Sequence, residues 1–275
     1  MDKLTVVILN FNRPDFIKKE ILQSIKKNKN IDEIIISHGK KSTYFEVNGV
    51  KSLKHYGKMN KEYGLTLRFL TATLSKNKYV MIIDDDIIPA DETINFLYKK
   101  IKEEDDIIHG IYGRNIKGGY RVDNVFGDVP IVLTRCLITT KEMCIYFMEN
   151  FRDFENKLIK NSKPYWNGED ILFSLLSIQR SKKLNKSYEL KHYNRLWNYI
   201  NFSDSISLSN NSHLKYRNNL VDYILSKLDI DKSLDKINVK NCQGQFTYFL
   251  FNSNLFYIIY FLFIIIGIII LKKYF

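Results

Sequence analysis

Short apolar runs alternating with segments of helical period leave this chain few choices of fold. Val6-Val7-Ile8-Leu9, Ile34-Ile35-Ile36-Ser37 and Tyr79-Val80-Met81-Ile82-Ile83 each read as a strand buried on both faces. Between the first two, Pro14 and Asp15 can open a helix along which Ile17, Ile21, Leu22 and Ile25 recur at helical spacing. Between the second and third, residues 65 to 74 read as a helix with Leu67, Leu70 and Leu74 on one side. Strands apolar on both faces and joined by helix-length connections belong to a parallel sheet covered by helices. The expectation is therefore an α/β fold: a mostly parallel, Rossmann-like sheet with flanking helices.

The pattern continues downstream. Pro89 marks a turn and Thr93 to Ile101 an amphipathic helix. Ile107 to Arg114 and Val129 to Leu133 read as strands around a Gly-rich loop at Gly118-Gly119. Lys141 to Phe151 reads as a helix and Pro164 as a breaker. Asn167-Gly168-Glu169-Asp170 then opens a helix carrying Ile171, Leu172, Leu175 and Leu176. Residues 203 to 212, rich in Ser and Asn, read as a mobile loop. There is no internal repeat.

The C-terminal end has a different character. No charged side chain occurs from Asn241 to Leu271, and residues 255 to 271 form 17 consecutive apolar or Tyr positions. That is the lower limit for crossing a bilayer. Ile264-Ile265-Ile266-Gly267-Ile268-Ile269-Ile270 leaves no polar stripe, which favours a transmembrane helix over a buried core helix. The expected organisation is a catalytic domain over 1–240, a linker over 241–254, a transmembrane helix over 255–271 and a basic tail over 272–275. The N-terminus lacks the apolar core and cleavage site of a signal peptide, so a single-pass C-terminal anchor in an endomembrane is expected. Lys272-Lys273 matches a dilysine retrieval pattern of ER/Golgi type, but Lys232, Lys236 and Lys240 flank the other side and leave orientation open. Cys136, Cys144 and Cys242 are too few and scattered for a disulfide framework or a zinc site, and read as small buried residues.

Asp84-Asp85-Asp86 carries the chemistry. Three aspartates at the C-terminal end of a buried parallel strand lie where open α/β sheets bind ligands. Alternate side chains share a side, so Asp84 and Asp86 can face one site while Asp85 points away. Two such oxygen donors suit Mn²⁺ or Mg²⁺, with positions left for phosphate oxygens.

Three segments in order resemble the exostosin-like, heparan-synthesis-type glycosyltransferases, which have a GT-A nucleotide-sugar-binding fold. They are Asn10-Phe11-Asn12-Arg13-Pro14-Asp15, Tyr79 to Asp86, and Trp166-Asn167-Gly168-Glu169-Asp170-Ile171. The resemblance spans roughly residues 4 to 225. It implies a UDP-sugar donor and a divalent metal held by the aspartates, chiefly Asp86, with Asp84 also at ribose or uracil and Asp85 beside the donor. It implies nucleotide contacts from Arg13 and Arg68, and a reaction centre at Glu169 and Asp170, of which Asp170 is favoured. His213 and Arg217 would close over the diphosphate, two cationic groups one helical turn apart. Tyr112, Arg114 and Trp166 would line the acceptor side. The implied reaction transfers a sugar, N-acetylhexosamine among the candidates, to a glycan, glycoprotein or glycolipid hydroxyl with retention of configuration.

The chain departs from the family at two points. His38-Gly39 stands where an Asn-containing nucleoside contact is expected, and the anchor is C-terminal rather than N-terminal. Two rival readings share some features. A nucleotidyltransferase would need a Gly-rich loop after the first strand, and Asn10 to Asp15 contains no Gly. The net charge of +12 also suits a basic protein bound to nucleic acid or a membrane surface, but no nucleic-acid motif accompanies it, and none is expected as a partner.

Overall fold

The computed structural model describes residues 2–154, 167–190, 192–193 and 211–241. The chain divides into two compact units, Met1–Lys240 and Asn241–Phe275. Among the described residues no helix is long and apolar enough to cross a membrane. Of the expected linker only Asn241 is described, as the end of a strand; its other residues, the helix over 255–271, the basic tail and Cys242 lie outside the described residues, as do Pro164 and Trp166.

The strands are β1 (Leu4–Asn10), β2 (Ile31–His38), β3 (Lys51–Lys54), β4 (Tyr79–Asp84), β5 (Ile88–Pro89), β6 (His109–Gly110), β7 (Gly113–Arg114), β8 (Val125–Val129), β9 (Ile131–Val132), β10 (Cys136–Thr140), β11 (Asn185–Ser187), β12 (His192–Tyr193) and β13 (Asn238–Asn241). The main sheet runs β3-β2-β1-β4-β10-β6-β11-β8-β7-β9, with β13 added on β8 and with β5 and β12 paired apart. β1 lies parallel between β2 and β4, and every one of its residues is buried. That accounts for the continuous apolar run: helices cover both faces, so no alternation is selected.

The sheet is mixed rather than mostly parallel. β10 runs antiparallel to both β4 and β6, and the β8, β7 and β9 region is antiparallel as well. The physical reason is the connections. From residue 109 to 140 the chain moves by short turns with no intervening helix, so it can only fold back on itself.

The helices follow the periodicity with local differences. Residues 14–25 are helical throughout, with Ile17–Ile21 wound as a π-helical turn, and bury Phe16, Ile17, Ile21, Leu22 and Ile25. The helix expected over 65 to 74 is Leu67–Ala72, entered through the 3₁₀ turn Gly64–Thr66. Of the expected leucine side only Leu67 is buried, alongside Arg68, Phe69, Thr71 and Ala72; Leu70 is half-buried and Leu74 is 47% exposed. Instead Phe69 stacks on Phe173 at 4.2 Å between ring centroids and lies 4.4 Å from Phe147. Aromatic burial thus sets the rotation of this helix and carries its neighbour Arg68 inward.

Asp91–Glu103 packs Ile94, Leu97, Tyr98 and Ile101 inward, with Asp91 and Glu92 in the first turn where the helix dipole favours them. Lys141–Asn150 begins at Thr140, whose hydroxyl accepts a hydrogen bond from the Met143 backbone N–H at 3.2 Å. Glu169–Ser181 is buried from Glu169 through Ile178, so it is a central helix rather than a surface one. Asn211–Leu225 follows the Ser/Asn-rich segment, whose residues 203–210 lie outside the described ones. Cys136 and Cys144 are both buried free thiols.

Candidate active site

Strand β4 delivers the three aspartates to the C-terminal edge of the parallel half of the sheet, and each meets a different arginine. Asp85 is buried under the first loop: its carboxylate pairs with Arg13 at 2.5 Å and accepts from the Phe11 backbone N–H at 3.2 Å. Burial raises the Asp85 pKa, opposed by the Arg13 charge. Asp85 thereby ties the end of β4 to the loop after β1. Asp84 pairs with Arg68 at 2.7 Å, and Asp86 faces Arg135 at 3.9 Å. β4 ends at Asp84, so the expected strand alternation does not extend over the triplet: Asp85 and Asp86 lie in the turn that follows, where Asp85 meets Arg13 and Asp86 faces Arg135.

Arg68 is only 5% exposed and joins the two acidic segments. Besides Asp84 it donates to the Leu65 carbonyl at 3.1 Å and to the Thr134 hydroxyl, and its other terminal nitrogen lies 3.8 Å from Glu169. Burial works against its charge, but Asp84, Glu169 and Asp170 outweigh that and raise its pKa. The guanidinium is thus embedded between the triplet and the Glu169-Asp170 pair.

The acidic pair sits at the first turn of its helix because Gly168, at φ +110°, takes a left-handed turn there. Glu169 accepts from the Gly168 N–H at 3.2 Å, and Asp170 from the Ile171 N–H at 2.9 Å. Asp170 also pairs with Arg217 at 3.3 Å. Arg217, from the helix Asn211–Leu225, donates further to the Tyr120 hydroxyl at 2.5 Å and to the Asn167 side chain at 2.6 Å. Its pKa is raised: burial opposes the charge, and Asp170 and Tyr120 more than compensate. His213 begins the same helix, and its side chain lies outside the described residues. The neighbouring Asn218 accepts from the Tyr120 N–H at 2.6 Å, which docks the Gly118-Gly119 loop against this helix. A Cβ at Gly119 would come within 2.9 Å of the Asn218 amide oxygen.

Burial, then the Asp170 charge, raises the Glu169 pKa from 4.5 to about 7. The folded state therefore holds this proton more tightly than the unfolded chain does. The stabilisation is full below about 4.5 and is lost as pH rises through about 7. Thermal melts at intervals from pH 4 to 8 should show stability falling over that window in the wild type. Glu169→Gln should flatten the slope; an unchanged slope would assign the dependence to other groups.

Two participants carry no signal in the sequence, Arg135 and Tyr120, and Asn167 stands in the third motif without an assigned role. Arg135 precedes β10, whose antiparallel pairing sets Cys136 opposite Ile83 and so places Arg135 at the aspartates. Its guanidinium lies over the Tyr112 ring at 4.5 Å. No local motif marks it, because its partner Asp86 is far away in sequence. Arg114 donates to the Gly113 carbonyl at 2.8 Å and to Asn124 at 3.1 Å. Burial lowers its pKa, with Tyr120 and Asp170 acting against that shift. His38 is fully buried at the end of β2 against Asn10 at 2.9 Å, and burial lowers its pKa to about 4. A separate cleft of about 720 Å³, lined by His109, Tyr188, Lys183 and Lys186 among others, includes none of the predicted site residues.

A divalent ion fits the donor set. Asp84 and Asp86 offer hard oxygen donors, and Asp86 Oδ1 is a buried carboxylate oxygen with no hydrogen-bond partner. Among the described residues no group of three or more His, Cys, Asp or Glu could hold an ion unaided. Phosphate oxygens and water would supply the remaining positions, as Mg²⁺ and Mn²⁺ sites commonly require.

Carboxylates at a strand end are thus interleaved with arginines and joined through Arg68 to a second, buried acidic pair. The chain belongs to glycosyl transferase family 64, whose domain model matches residues 4–241. No curated protein matches the chain. Similar solved structures include S. aureus TarS 1–349, at 16% identity and TM-score 0.47, and S. aureus TarS, at 14% and 0.46. Each similarity covers 70% of this chain, but only 60% of the first structure and 36% of the second.

Proposed function

We propose that this glycosyltransferase is of the exostosin-like type, with a GT-A mode of donor binding. It would transfer a sugar from a UDP-sugar to an acceptor hydroxyl of a glycan, glycoprotein or glycolipid with the help of Mn²⁺ or Mg²⁺. One observation carries the reading: the unbonded, buried oxygen of Asp86 beside Asp84, linked through Arg68 to the Glu169-Asp170 pair. Asp84 and Asp86 would hold the ion, which when bound supplies Lewis-acid stabilisation to the departing diphosphate.

The remaining roles fall to the chain's own side chains. Arg13 and Asp85 hold the first loop against β4, where the nucleotide would lie. Asp170, bonded to Arg217 and the Ile171 N–H, would accept the acceptor hydroxyl proton or face positive charge building on the sugar. Glu169, buried and shifted to about 7, sits behind it on Arg68. Retention of configuration and an N-acetylhexosamine donor complete the proposed activity. We further propose that residues 255–271 anchor the enzyme in an endomembrane.

UDP release in single-turnover reactions with a panel of UDP-sugars, with and without Mn²⁺, tests the activity. Asp86→Asn is expected to lower metal-dependent turnover by about 100-fold, the scale of several kcal/mol of charge stabilisation. Turnover unchanged in that variant would remove Asp86 from metal binding. Protease protection of the full chain in microsomes tests the anchor: a fully accessible domain with no membrane-associated fragment would exclude it.

A further inference from the structure

Each of the three aspartates has an arginine, and the three pairs are not alike. The Arg13–Asp85 and Arg68–Asp84 contacts are hydrogen-bonded at 2.5 and 2.7 Å. Both arginines sit in closed networks, since the loop backbone also bonds Asp85, and Arg68 further engages Leu65, Thr134 and Glu169. Arg135 is different. Its nearest guanidinium nitrogen stands 3.9 Å from Asp86 Oδ1, beyond hydrogen-bond reach, and a third of its side chain is exposed. Its other support is the face of Tyr112, at 4.5 Å. Its backbone is fixed, because the Asp84 N–H donates to the Arg135 carbonyl at 3.0 Å. Arg135 is thus a tethered cation, held loosely beside the one carboxylate oxygen of the triplet that is buried and unbonded.

We propose that Arg135 is an internal competitor of the divalent ion. Its guanidinium offsets the Asp86 charge in the metal-free enzyme and must move off Asp86 when an ion binds there. The electrostatics are direct. A cation within a few ångströms of a dication's ligand, in a partly enclosed site, repels the incoming ion and weakens its binding. Tyr112 gives the displaced guanidinium a surface to remain on, so displacement needs no unfolding of β10. The arrangement would keep the site without metal at low ion concentration and make loading depend on whatever else draws Arg135 away, such as donor phosphate oxygens.

This inference rests on the proposed metal site, and the two can fail separately. Mn²⁺ is titrated into the full-length protein at fixed ionic strength, and free ion is followed by its electron paramagnetic resonance signal. Arg135→Gln is expected to bind Mn²⁺ about tenfold tighter than wild type. Arg135→Met, which keeps the packing on Tyr112, should do the same and serves if the glutamine variant does not fold. Lys19→Gln, an exposed charge loss on the helical segment 14–25, controls for net charge and should bind as wild type does. Equal or weaker Mn²⁺ binding by the Arg135 variants overturns the inference while leaving the metal site standing. Absence of Mn²⁺ binding in wild type and variants alike removes the metal site, and the inference with it.

Discussion

Asp170→Asn is expected to lower kcat by about 10² to 10⁴-fold, the range over which a positioned acid or base contributes to a transfer step. The substitution is nearly isosteric. The side-chain amide carbonyl it introduces can still accept from the Ile171 N–H, so the helix start survives. The charge facing Arg217 is what disappears. A group that acts on the reacting centre rather than on the nucleotide leaves donor affinity almost unchanged. UDP binding, measured by calorimetry, should therefore shift by less than about threefold while kcat falls. If kcat stayed within about tenfold of wild type, Asp170 would be a structural partner of Arg217 only, and attention would pass to Glu169.

Arg68→Met is expected to destabilise the fold by about 3–5 kcal/mol, the range seen when one partner of a buried ion pair is removed. Arg68 serves two carboxylates on different elements, so its loss strands Asp84 and Glu169 together, along with the Thr134 hydroxyl and the Leu65 carbonyl. Urea unfolding measures the effect. Adding Glu169→Gln to Arg68→Met should recover part of the loss, because one stranded charge is then gone and the two substitutions share a contact. A loss below about 1 kcal/mol would mean that Arg68 behaves as an exposed side chain waiting for a nucleotide. Its burial among Asp84, Thr134 and Glu169 favours the larger loss and a part in holding the two acidic segments together.

Much of the architecture is legible in one dimension. The runs at Val6, Ile34 and Tyr79 announce β1, β2 and β4 because a strand covered on both faces has no polar side to display. The helices at Pro14, Asp91 and Glu169 follow from apolar spacing and from acidic or proline starts. Local pattern fails where a partner distant in sequence decides. The leucine stripe of residues 67 to 74 is a fair amphipathic pattern, yet Phe69 turns the helix because Phe147 and Phe173 wait for it. In the antiparallel half, strands are legible near Ile107 to Arg114 and Val129 to Leu133, but not their direction or bounds: they are two to five residues long, too short for a period to establish itself.

The candidate site divides along the same line. Asp84, Asp85, Asp86, Glu169 and Asp170 stand out in the sequence because acidic residues clustered at a strand end or a helix start are conspicuous. Which arginine serves which carboxylate is not written there. Arg13 meets Asp85, Arg68 spans Asp84 and Glu169, Arg217 meets Asp170, and Arg135 arrives unannounced from β10. By itself the sequence determined an α/β fold with an acidic centre, since burial pattern and charge are properties of each segment alone. Only the tertiary structure decided the pairing of charges, because an ion pair depends on distances between segments that lie far apart in sequence, from 16 residues for Arg68 and Asp84 to 72 for Arg13 and Asp85 and further still for Arg68 and Glu169, and those distances are set by sheet order and aromatic packing.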